Sequence, residues 1–171
     1  MGLAIIAPSI LRAVVLNDVG PDLSDKGMRR ISDYVGRDNP QPNWEAATAE
    51  LGRMFPTLAG ESKAALLDEA RATWREGDDG LLHFDWDTRL APVVFDASGE
   101  SDPWVLFRAL HRFPVLTLRG ELSDVLSAAT LDRMARTHPD LTAVTVPKRG
   151  HPLTLDENDA TEALDAFLQR L

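Results

Sequence analysis

The chain has 171 residues, enough for one domain with a real core, and its 44% hydrophobic and 26% charged residues are the balance of a folded protein rather than a disordered one. A formal net charge of -9 repels phosphate backbones and argues against nucleic acid as a partner, and no apolar run approaches the roughly 20 residues needed to span a bilayer. The absence of cysteine removes disulfides, thiolate metal sites and a cysteine nucleophile together, and it fits a reducing, cytoplasmic location.

Taken in order, Gly2 to Pro8 reads as the end of a helix stopped near the proline. These apolar residues lack the basic start and the small-residue cleavage site of a signal peptide, so they are assigned to the core. The run Ala13 to Leu16, closed by Asn17-Asp18 and then Gly20-Pro21, predicts a strand buried on both faces. From Asp22 the pattern turns helical: Ser24 to Val35, Trp44 to Met54 and Glu61 to Glu76, with Asn43 and Ser62 as N-caps and Pro40, Pro42 and Pro56 in the gaps. Gly77 to Gly80 predicts a turn, and Leu81 to Asp87 a short hairpin strand. From Asp102 helices and strands alternate: a helix from Pro103 to Arg112, a strand from Pro114 to Arg119, a helix from Ser127 to His138, a strand from Asp140 to Pro147, and a closing amphipathic helix from Glu157 to Leu171. Such alternation implies parallel pairing, here of three strands with a helical insertion after the first.

In open parallel sheets the chemistry gathers beyond the carboxyl ends of the strands. Those ends offer Asn17-Asp18, then Gly120-Glu-Leu-Ser-Asp124, then Gly150-His151, so two carboxylates and an imidazole converge on one edge. A hydrolytic triad needs an imidazole base and a buried carboxylate that fixes its tautomer.

Three segments, Leu16-Asn-Asp-Val-Gly-Pro21, Leu118-Arg-Gly-Glu-Leu-Ser-Asp124 and Gly150-His-Pro-Leu-Thr-Leu-Asp-Glu157, resemble the α/β-hydrolase fold family of esterases, lactonases and C–C hydrolases. The resemblance covers nearly the whole chain and implies the C-terminal part of that fold: about three parallel strands with flanking helices in residues 1–21 and 96–171, and a mostly helical cap in 22–95. It implies Asp124 as triad acid and His151 as base, with Asp18 as the alternative acid. The implied reaction is hydrolysis of an ester, lactone or related small substrate, with no cofactor and no membrane partner.

The family's nucleophile stands on a G-x-S-x-G elbow, and no G-x-S-x-G occurs in this sequence. The resemblance places Met1 inside the helix after that elbow, so the serine would lie about one or two turns upstream. Both oxyanion-hole donors would be missing with it. The expectation is an N-terminally truncated hydrolase with no nucleophile in this chain and no activity alone. The alternatives are a non-catalytic module that associates through the exposed strand edge at Ala13–Leu16, and a poorly folded product.

Two near-misses do not supply the serine. Gly60-Glu-Ser62-Lys-Ala64 opens a helix with no strand before it. Gly99-Glu-Ser101-Asp-Pro103 follows a Val93-Val94-Phe95 run, but Pro103 replaces the second glycine that the strained elbow needs. His83, His111 and His138 show no metal-binding spacing, so no metal site is expected. Asp78-Asp79 reads as a turn rather than a calcium loop. Trp44, Trp74, Trp86 and Trp104 are assigned to packing ahead of a substrate pocket.

Overall fold

A computed structural model describes residues 1–58, 61–91 and 102–171. Among these the helices are α1 (Leu3–Ile6), α2 (Asp25–Val35), α3 (Trp44–Met54), α4 (Lys63–Thr73), α5 (Pro103–Arg108), α6 (Ala128–Thr137) and α7 (Asn158–Gln169). The strands are β1 (Val14–Asn17), β2 (Trp74–Glu76), β3 (Leu82–Phe84), β4 (Val115–Gly120) and β5 (Leu141–Val146). The chain divides into two compact units, Met1–Gly27 with Glu100–Leu171, and Met28–Gly99.

The first unit is built on a parallel sheet ordered β1-β4-β5, with Val14 level with Val115 and Gly120 level with Val146. All six residues of the central strand β4 are buried. Its side chains alternate between two apolar layers, as the period of two requires. Val115 packs with Leu16, Phe107, Leu126 and Met134 on one face. Leu116 and Leu118 pack with Val146, Leu153, Ala160 and Phe167 on the other. The first layer is supplied by α5 and α6 and the second by α7, the three helices predicted to cover the sheet. Each fully buried Leu or Phe contributes on the order of 1.5–3 kcal/mol to holding the layers together. The Ser127 side chain caps α6 by accepting the Thr130 N–H, and the Asp102 side chain caps α5 from just ahead of Pro103.

The first unit extends as far as Gly27, past the predicted boundary at residue 21. The start of α2 is held against the strand ends: the Ser24 N–H donates to the Val125 carbonyl, and a Cβ on Gly27 would meet the Asp124 carbonyl oxygen at 2.3 Å. The other boundary, at residues 95–96, lies outside the described residues, as do the Val93-Val94-Phe95 run and Ser101.

The second unit has its own core of Ala47, Leu51, Ala70, Trp74, Leu82 and Phe84. The side chains of Asn43 and Ser62 cap α3 and α4 by accepting the N–H groups of Ala46 and Ala65, as their sequence positions predict. The predicted helix over Glu61–Glu76 ends at Thr73 instead. Trp74 to Glu76 form β2 and pair antiparallel with β3, Trp74 opposite Phe84 and Glu76 opposite Leu82. The reason is burial: Trp74 is enclosed and stacks on Phe84 at 4.9 Å, a cross-strand pair that outweighs helical periodicity. Gly80, at φ 76°, closes the hairpin.

Candidate active site

Three strand ends meet at one edge of the parallel sheet. Just after β1, Asp18 adopts the left-handed conformation at φ 52°, which Asp tolerates better than most residues. Its backbone N–H donates to the Leu118 carbonyl at 2.8 Å, so β1 pairing continues to the point where the carboxylate is presented. The side chain is wholly buried. Its Oδ1 accepts the Gly120 N–H at 2.9 Å, and its Oδ2 accepts the Ser123 hydroxyl at 2.6 Å. The same Oδ2 lies 2.9 Å from Nδ1 of His151.

A buried carboxylate with three donors around it is compensated for its lost solvation. A carboxylate can only accept, so Nδ1 of His151 carries the shared proton and Nε2 holds the basic lone pair. That tautomer is the one a general base needs. The His151 side chain retains 12% of its exposure, so it is not sealed in the core.

Sequence reasoning put Asp124 first and Asp18 second. The Asp18 carboxylate lies within hydrogen-bond distance of the imidazole, at 2.9 Å. Asp124 sits on the loop after β4, half-buried, with its carbonyl against Gly27. Spacing along the chain fits either residue.

The loops after β4 and β5 are stitched together beneath this pair. The Leu122 N–H donates to the Arg149 carbonyl at 2.8 Å, and the Lys148 N–H donates to Oε2 of Glu121 at 2.8 Å. Buried Arg119 points its guanidinium back to the Leu126 and Glu121 carbonyls, fixing the first of these loops. The Asn17 amide donates to the Leu153 carbonyl at 3.0 Å, which ties the histidine loop to the end of β1. The hydrogen bond from the Gly120 N–H to Asp18 escaped sequence reasoning. Its one visible signal is a glycine closing an apolar strand.

The other expected positions are dispersed. Trp74 and Trp104 are buried, the latter beneath the Arg133 guanidinium at 3.8 Å, while Trp86 stacks on Phe84 and borders an open cleft in the second unit. His83 stands between Asp38 and Asp79, at 2.5 and 3.0 Å, and its pKa is raised above 6.5, first by the bond to Asp38 and then by that to Asp79. Asp79 also accepts the Leu81 N–H, which is a turn's geometry. Among the described residues there is no group of three or more His, Cys, Asp or Glu side chains arranged to hold a metal ion, and no helix long and apolar enough to cross a membrane.

Comparison with known proteins gives a consistent picture. The chain is 34% identical over 168 residues to a 3-hydroxybutyrate-oligomer hydrolase of Cupriavidus necator, covering 90% of this chain and 55% of that protein. It is 26% identical over 145 residues to a 2-(acetamidomethylene)succinate hydrolase of Mesorhizobium japonicum, covering 84% of this chain and 50% of the relative. Among solved structures, an alpha/beta hydrolase from Novosphingobium aromaticivorans superposes with a TM-score of 0.88 at 37% identity, over 99% of this chain and 60% of that one. The chain thus spans about half the length of the curated relatives it matches. No family model matches it.

Proposed function

We propose that this chain, which belongs to the α/β-hydrolase fold family, carries the acid–base half of a serine hydrolase site, with His151 as general base and Asp18 as the acid that orients it. The observation that supports this reading is the 2.9 Å contact between His151 Nδ1 and the buried Asp18 carboxylate, at the carboxyl edge of a parallel sheet. In the proposed reaction Nε2 takes the proton of a serine hydroxyl as that oxygen attacks the substrate carbonyl. It then returns the proton to the leaving group, and the acyl-enzyme is cleaved when His151 activates water in the same way. Asp18 orients the ring and stabilises the imidazolium that forms at each step.

The substrate class is a small ester or lactone. The relative named for 3-hydroxybutyrate oligomers supports an ester, since oligomers of a hydroxy acid are joined by ester bonds. The second unit, Met28–Gly99, takes the place of a cap and of its substrate selection in this reading. Because the sequence has no G-x-S-x-G, the serine is not supplied by an elbow of these 171 residues, and the chain by itself is expected not to turn over esters. Assay of p-nitrophenyl acetate and of a 3-hydroxybutyrate dimer with the chain and its His151→Ala variant tests this. The reading expects no turnover that depends on His151; turnover abolished by that substitution would contradict it.

A second reading has its own support. Among the described residues β1 is hydrogen-bonded to β4 alone, with Val15 38% exposed and Ile6 and Ile10 at 79% and 69%. An unpaired edge beside apolar side chains favours association through β1. Sedimentation that finds a monomer at all working concentrations would count against it.

A further inference from the structure

The loop that carries His151 has no regular structure of its own between β5 and α7, and what holds it is a buried glutamate. Glu157 stands at the N-cap position of α7 with 6% of its side chain exposed. Its side chain does not cap the helix but turns back into the loop. Oε1 accepts the Thr154 N–H at 3.2 Å and the Thr154 hydroxyl at 3.1 Å, and Oε2 accepts the Leu155 N–H at 2.9 Å. The Thr154 hydroxyl is shared with Asp156. On the other side of the histidine, Nε of Arg149 lies 3.4 Å from Oε1.

One carboxylate therefore grips the chain both before and after His151. The grip also accounts for a local oddity. Leu155 adopts a left-handed conformation at φ 69°, unfavourable for a residue with a branched side chain, and its N–H is one of those Glu157 receives. Arg149 is in turn joined to the loop after β4, since its carbonyl accepts the Leu122 N–H. The path from Glu157 through Arg149 thus ends on the loop whose Ser123 and Gly120 hold Asp18.

We propose that Glu157 is a positioning residue for the acid–base pair: by clamping Arg149 and the Thr154–Leu155 turn it sets the imidazole of His151 in register with Asp18. The inference rests on the Asp18–His151 reading above. Loss of the clamp leaves both residues in place but lets the loop sample positions in which Nδ1 and Oδ2 are apart.

The test is proton NMR of the 171-residue chain with labelled histidine, which reads the exchange of the His151 Nδ1 proton with water. In the wild-type chain this proton is expected at low field and protected. In Glu157→Ala its exchange is expected to be roughly tenfold faster, the scale of losing hydrogen bonds to a charged group, while the Leu116 and Leu118 amides of β4 keep their protection. Glu157→Gln, which keeps the volume but only one acceptor oxygen, is expected to lie between, and it carries the test if Glu157→Ala fails to fold. Unchanged exchange in the folded variants would overturn the proposal. So would equal acceleration of the β4 amides, since that is a purely structural effect. A wild-type chain with no protected Nδ1 proton would overturn the Asp18–His151 reading itself, and the clamp with it.

Discussion

A Cβ on Gly120 would stand 2.6 Å from the carbonyl oxygen of Arg149 and 2.7 Å from that of Gly150. No side chain fits there, so the last residue of β4 and the loop before His151 are in backbone contact. The Gly120 N–H also donates to Asp18, which makes this glycine the meeting point of all three strand ends. Gly120→Ala is expected to push the histidine loop outward and cost about 1–3 kcal/mol, the range for forcing extra volume into a packed site. Urea unfolding of the two proteins measures it, and an unchanged midpoint would show that the loop yields freely.

Ser123 has two tasks. Its hydroxyl donates to Oδ2 of Asp18, and its oxygen accepts the N–H groups of Val125 and Leu126 at 3.1 Å. Ser123→Ala removes one donor from a buried carboxylate and leaves two backbone donors without that acceptor. The expected cost is about 1–3 kcal/mol by thermal or urea unfolding, far above that of an ordinary exposed serine. A cost below a few tenths of a kcal/mol would mean that the loop reorganises around water.

His138 introduces a pH dependence into the first unit. It is buried beside Phe107 and His111, its Nδ1 accepts the Asp140 N–H, and burial lowers its pKa below the ordinary 6.5. The folded protein therefore binds this proton less readily than the unfolded chain does. The resulting stability is fully present above pH 6.5 and is lost as pH falls through 6.5 toward the depressed folded value. Unfolding measured across this window should show stability falling on the acid side. The slope should diminish in His138→Gln; the same slope in both proteins would assign it to other groups.

Much of this was legible beforehand, for reasons specific to each element. β1, β4 and β5 are short apolar runs ended by Asn-Asp, Gly or Pro-Lys, which makes them legible as strands, but only β4 is buried throughout; β1, expected to be buried on both faces, exposes Val15, and β5 exposes Ala143 and Thr145. The caps Asn43 and Ser62 act locally, so sequence alone locates them. β2 was hidden because Trp74-Arg-Glu76 continues the helical period of α4, and only the distant Phe84 makes it a strand. The choice between Asp18 and Asp124 was hidden for a similar reason. Both carboxylates follow a strand, and neither the positive φ at Asp18 nor its contacts with Leu118, Gly120 and Ser123 can be read from the spacing of residues.

That choice is the centre of the account, and the Nδ1 proton of His151 tests it most directly. In Asp18→Asn the carboxylate that accepts this proton becomes an amide, and the low-field resonance should vanish or move strongly upfield. In Asp124→Asn the resonance should stay where it is in the unaltered chain. The opposite pattern, a signal kept in Asp18→Asn and lost in Asp124→Asn, would contradict the assignment and return the acid's role to Asp124.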